Sequence, residues 1–171
     1  MEIFEKTIKE YLKELSPIDN VFWGDKITNT LMLKHKYCEL EEGERPLIVV
    51  NKGGMPFSGF FTGMVITNKY VHFRLVKDGF WVGLIAFLMK PIIGKEKLTD
   101  IKLLQIGEHD AAFGTAYIGH QLIINDKVYG LLRMGTGIEY NDSIIQFINK
   151  LSSYLVDKKI FSKKPIEYSW Q

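Results

Sequence analysis

Residues 57–76, FSGFFTGMVITNKYVHFRLV, set two apolar or alternating runs on either side of Asn68 and Lys69. Two strand-forming runs separated by a two-residue turn predict an antiparallel hairpin of 57–67 with 70–76. Side chains alternate across a strand, so Tyr70, His72 and Arg74 fall on one face and Val71, Phe73 and Leu75 on the other.

Upstream of the hairpin, PLIVVN (46–51) is a β-branched run that reads as a buried strand, and KGGMP (52–56) is a turn. Downstream, residues 98–106, 116–125 and 127–134 are three more strand candidates, the last two joined through the turn formers Asn125 and Asp126. Six strands follow from these runs.

Helical periodicity occupies both ends. Over 2–15, Ile3, Phe4, Ile8, Tyr11, Leu12 and Leu15 form one stripe, which Ser16 and Pro17 end before a loop that runs to about Gly24. A second helix is expected over 25–37, with Asp25 as its N-cap. A third is expected over 140–156, where Asn141 and Asp142 precede Ile144, Ile145, Ile148, Leu151 and Leu155 at helical spacing. Antiparallel strands closed by a C-terminal amphipathic helix define an α+β fold in which that helix covers an open end or face of a curved sheet.

A length of 171 residues fits one domain, and 46% hydrophobic with 25% charged residues is the composition of a chain that folds. The lone Cys38 cannot make an internal disulfide, and MEIFEKTIKE has acidic residues where a secretion signal carries basic ones, so a cytoplasmic location is expected.

Three segments carry a resemblance: GFFTGMVITNKYVHFRL (59–75), KLTDI (97–101) and GHQLIINDKVYGLL (119–132) followed by the helix. In this order they resemble the bacterial PH-like (pleckstrin-homology-like) family, with Thr67-Asn68-Lys69 at its hairpin and Asp100-Ile101 as its later pair. The likeness covers about 27–155. It implies a PH-like antiparallel sandwich or curved sheet over 41–156, with two N-terminal helices in 1–40 packed on it as an extension and a basic tail over 157–171. A complete PH-like sandwich has seven strands, one more than the runs above supply. The resemblance implies a non-enzymatic interaction or adaptor module with no catalytic residues and no cofactor.

The residues themselves add little chemistry. His35, His72, His109 and His120 lie without the paired spacing of a metal site. In Gly107-Glu108-His109-Asp110 a carboxylate could orient an imidazole, and Glu108, His109 and His120 are the residues an enzyme or ligand-binding protein would use. No nucleophile motif accompanies them, and the simpler reading of 108–110 is a solvated turn between strands. Gly53-Gly54 and Gly135-Thr136-Gly137 lack the lysine or third glycine of nucleotide-binding loops. A net charge of +2 argues against nucleic acid, for which Lys158–Lys164 around Phe161 is the one local match.

The feature furthest above background is FWVGLIAFLM (80–89), ten residues without a charge. It is about half the length a membrane-spanning helix needs. Phe80, Trp81, Leu84, Phe87 and Leu88 are therefore expected in a core or in a contact surface over 80–93. The partner would be a second copy of the chain (a homo-oligomer), another protein, or a membrane surface that meets Trp81 and Phe87.

Overall fold

The computed structural model describes residues 2–52, 62–76, 90–110, 117–136 and 143–166. The hairpin forms where alternation puts it: Thr62–Thr67 (β3) pairs with Tyr70–Leu75 (β4), with Met64 opposite Phe73 and Ile66 opposite Val71. Residues 57–61 lie outside the described segments. Val71, Phe73 and Leu75 enter the main core.

On one side of the hairpin, β3 pairs antiparallel with Pro46–Lys52 (β2), which pairs with Val21–Trp23 (β1). On the other, β4 pairs with Ile92–Lys97 (β5), completing a five-stranded sheet of order β1-β2-β3-β4-β5. A second sheet holds Leu104–Asp110 (β6), Tyr117–Ile124 (β7) and Lys127–Thr136 (β8) in sequence order, all antiparallel. The molecule is thus α+β, with two antiparallel sheets and a C-terminal helix.

Two strands were hidden in the sequence. β1 is three residues long, in what reads as a loop, and owes its existence to pairing with Ile48, Val49 and Val50. β5 begins at the end of the apolar run, so Ile93 is a strand residue, 54% exposed. Its inward positions are Ile92, Gly94 and Glu96, and a Cβ on Gly94 would stand 2.7 Å from Phe73 Cζ. The bulk at this point comes from β4, so β5 shows no apolar alternation of its own.

Other boundaries move for local reasons. Gly24 adopts φ +57 and opens a 3-10 turn over Gly24–Lys26, after which Ile27 is extended. The second helix, Asn29–Lys34 (α2), therefore starts late, and Thr28, not Asp25, caps it by accepting from Leu31 N–H at 3.1 Å. The predicted strand 98–106 opens instead with a 3-10 turn, Leu98–Asp100, and the strand begins at Leu104. The expected turn at 108–110 is the end of β6. The terminal helices are Glu2–Lys13 (α1) and Ser143–Asp157 (α3); residues 140–142 lie outside the described segments.

The main core fills the space between the sheets and under both terminal helices. Phe4, Ile8 and Leu12 of α1 meet Ile48, Met64 and Phe73 of the large sheet, Ile106 and Leu122 of the small one, and Phe147 and Ile148 of α3. A smaller cluster, Leu31, Cys38, Val49 and Val65 with Phe22, Ile27, Met32 and Tyr37 against it, covers the other face of the large sheet. The sheets are stitched where Val76 and Leu131 exchange both backbone hydrogen bonds, at 2.9 and 2.8 Å. Past α3 the chain stays on the body: Phe161 is buried, and the Ser162 and Lys163 N–H groups both donate to Lys102 O. No helix among the described residues is long and apolar enough to cross a membrane.

Candidate functional site

Among the described residues, the densest buried polar group lies between the β3–β4 hairpin and the preceding loop. Glu44 has no exposed side-chain surface. Its Oε1 accepts from the Thr67 hydroxyl at 2.6 Å and faces His72 Nε2 at 2.6 Å, while Oε2 accepts from Glu41 N–H at 2.9 Å. Burial alone would raise this carboxyl, but the Glu41 N–H, Thr67 and His72 together outweigh it and hold the group below its ordinary range.

The hairpin turn completes the clamp. Asn68 Oδ1 accepts from Arg45 N–H at 2.8 Å and its Nδ2 donates to Gly43 O at 3.1 Å. At the surface above, Lys95 Nζ meets Glu41 Oε1 at 2.6 Å and lies 4.5 Å from the centre of the Tyr70 ring. Lys95 is the first cause holding the exposed Glu41 carboxyl low.

These groups are arranged for support and not for turnover. General-base activation of a hydroxyl needs the imidazole between hydroxyl and carboxylate; here the carboxylate stands between Thr67 and His72. Thr67 is itself fully buried and also accepts from Tyr70 N–H at 2.9 Å, so no substrate atom has a path to it. The arrangement fixes the 41–45 loop onto the sheet.

A second feature is a cleft of about 310 Å³ between α1 and the β1–β2 end of the large sheet, lined by Ile8, Leu12, Trp23 and Leu47, with Lys9 and Lys13 among its walls. Sequence reasoning missed it because it joins three separate segments. The one-turn spacing of Lys9 and Lys13 beside an apolar stripe was the one available signal.

Of the residues singled out from sequence, the β6–β7 register sets Glu108 opposite His120 and His109 opposite Gly119. His120 is buried. Phe80, Trp81, Leu84, Phe87 and Leu88 lie outside the described residues. Cys38 is buried against the small cluster, and burial pushes its thiol up to about 12. Among the described residues no group of three histidine, cysteine or acidic side chains could hold a metal ion.

No family model, curated protein or solved structure matches this chain.

Proposed function

We propose that the chain is a non-enzymatic PH-like interaction module that associates with a second copy of itself through residues 80–93. The observation that carries the first half is the strand count: β2 to β8 are seven antiparallel strands in two sheets, closed by α3. That is the number a PH-like sandwich requires, and β5 is the strand the sequence runs left out. The one buried acid–base constellation with described side chains, Glu44 with His72, serves the loop clamp and favours a binding role over catalysis.

Self-association draws on where the apolar run is attached. In sequence it lies between Val76 and β5, the last strand in the order of the large sheet among the described residues, whose outward Ile93 is exposed. An apolar segment next in sequence to a strand whose outer edge has no partner among the described residues is the material of a two-fold contact, since one patch on two copies is self-complementary. In sedimentation, the parent chain is expected to run larger than a monomer, and the double variant Trp81→Glu with Phe87→Glu as a folded monomer with an unchanged melting temperature. A parent that stays monomeric at high concentration would refute the self-association. A variant that unfolds would place the segment in the core, and parent-only flotation with anionic vesicles would replace the second copy with a bilayer.

A further inference from the structure

We propose that the cleft between α1 and the β1–β2 end of the large sheet binds a small anionic amphiphile: a compound with an apolar body of medium-chain fatty-acid size and a single carboxylate head. The inference is independent of the interaction role proposed above, because none of the residues that line the cleft belongs to 80–93.

Its floor is apolar and already desolvated. Ile8, Leu12 and Leu47 are buried core residues, and the half-buried Trp23 forms a wall. At about 310 Å³ it falls at the lower end of the range for small-molecule pockets. Beside Trp23 the mouth is open: a Cβ added to Gly24 would meet no atom within 4 Å.

The charge around this floor has one sign. Lys9 and Lys13 line the cleft and no carboxylate does. The acids of α1, Glu2, Glu5 and Glu10, line the adjoining depression toward Arg45, to which Lys6, Lys9 and Lys13 also contribute. Lys9 keeps Glu5 at 2.8 Å, whereas Lys13 has no ion-pair partner among the described residues. Lys26 adds a further positive charge, its Nζ 5.2 Å from the centre of the Trp23 ring. An apolar slot with one uncommitted cation at its rim complements an apolar tail with one anion at its end.

Calorimetric titration of the full chain with decanoate tests this, with decyltrimethylammonium as the probe of equal tail and opposite charge. Saturable binding of decanoate alone is expected, weakened about threefold to tenfold in Lys13→Glu, where an attraction becomes a repulsion. Trp23→Ala should weaken it as well through the lost wall, and Lys13→Glu keeps the test open should Trp23→Ala fail to fold. No saturable decanoate binding, equal binding of the cationic probe, or an unchanged affinity in Lys13→Glu would each overturn the assignment. Flotation with anionic vesicles, lost in Lys13→Glu, would overturn it in favour of a membrane headgroup.

Discussion

His35 is fully buried with Nδ1 2.9 Å from the Tyr37 hydroxyl, and burial first, then the neighbouring Lys34, lowers its pKa to about 4. An unfolded histidine takes up its proton near 6.5. Between those values the unfolded chain binds more protons than the folded one, so stability falls as pH drops from about 6.5 toward 4, and this contribution is gone below that. The loss should amount to about 1–3 kcal/mol, read from urea unfolding at several pH values. Replacing His35 with Gln should flatten the slope between neutral and mildly acidic pH, whatever it does to absolute stability; an unchanged slope would assign the titration elsewhere. Glu44 works in the same direction at lower pH: its folded carboxyl is held down, so its contribution is present above 4.5 and lost as pH falls through the folded value. None of this was legible in the sequence. His35, His72 and His120 read as scattered residues, and all three are buried. Glu44 and His72 meet across a separation of 28 residues that only strand pairing closes.

Thr67-Asn68-Lys69 reads as turn chemistry, and it does turn the chain between β3 and β4, yet its side chains reach back to the 41–45 loop. Asn68→Ala removes one acceptor for Arg45 N–H and one donor to Gly43 O. It should cost about 0.5–1.5 kcal/mol, because two part-buried hydrogen bonds to the loop backbone are lost. Hydrogen exchange should show the Arg45 amide losing protection ahead of the β3–β4 pairing; uniform loss would mean that loop and hairpin open as one unit. The seam between the sheets makes a second demand. Gly130 sits at φ +153, and a Cβ there would stand 2.7 Å from Val76 O, the acceptor that Leu131 uses to join the sheets. Gly130→Ala should therefore destabilise by about 1–3 kcal/mol in denaturant melts. An effect within a few tenths would show that β8 can shift without breaking the seam. The β3–β4 hairpin was legible because its period-two pattern lies in one continuous segment. β5 was not, because its inward Gly94 receives the Phe73 ring from the neighbouring strand, and β1 was not, because three residues are too few to show a period.

At the scale of the molecule, the sequence suggests a body over 41–156 with a helical extension in front and a basic tail behind, and the packing joins all three. α1 contributes Phe4, Ile8 and Leu12 to the same core as both sheets, and Tyr11 stacks with Tyr154 of α3 at 4.9 Å between ring centres. β1 adds a strand to the large sheet, so without it the outer edge of β2 would be bare. Behind α3, Phe161 enters the main core, and Ile166 N–H donates to the buried Gln105 at 3.1 Å. A fragment of residues 41–156 should therefore fail to fold cooperatively. Each large apolar side chain taken from such a core removes about 2–5 kcal/mol, so losing four exceeds the stability a domain of this size has to spare. The comparison is between the fragment and the full chain in thermal melts and hydrogen exchange. A broad or absent transition with bound hydrophobic dye is expected of the fragment. A sharp transition close to that of the full chain would mean that the seven strands and α3 are self-sufficient and that α1 and the tail only decorate them. Phe161→Ala alone gives a graded version, with an expected cost of about 3–5 kcal/mol if the tail is as integral as its burial implies.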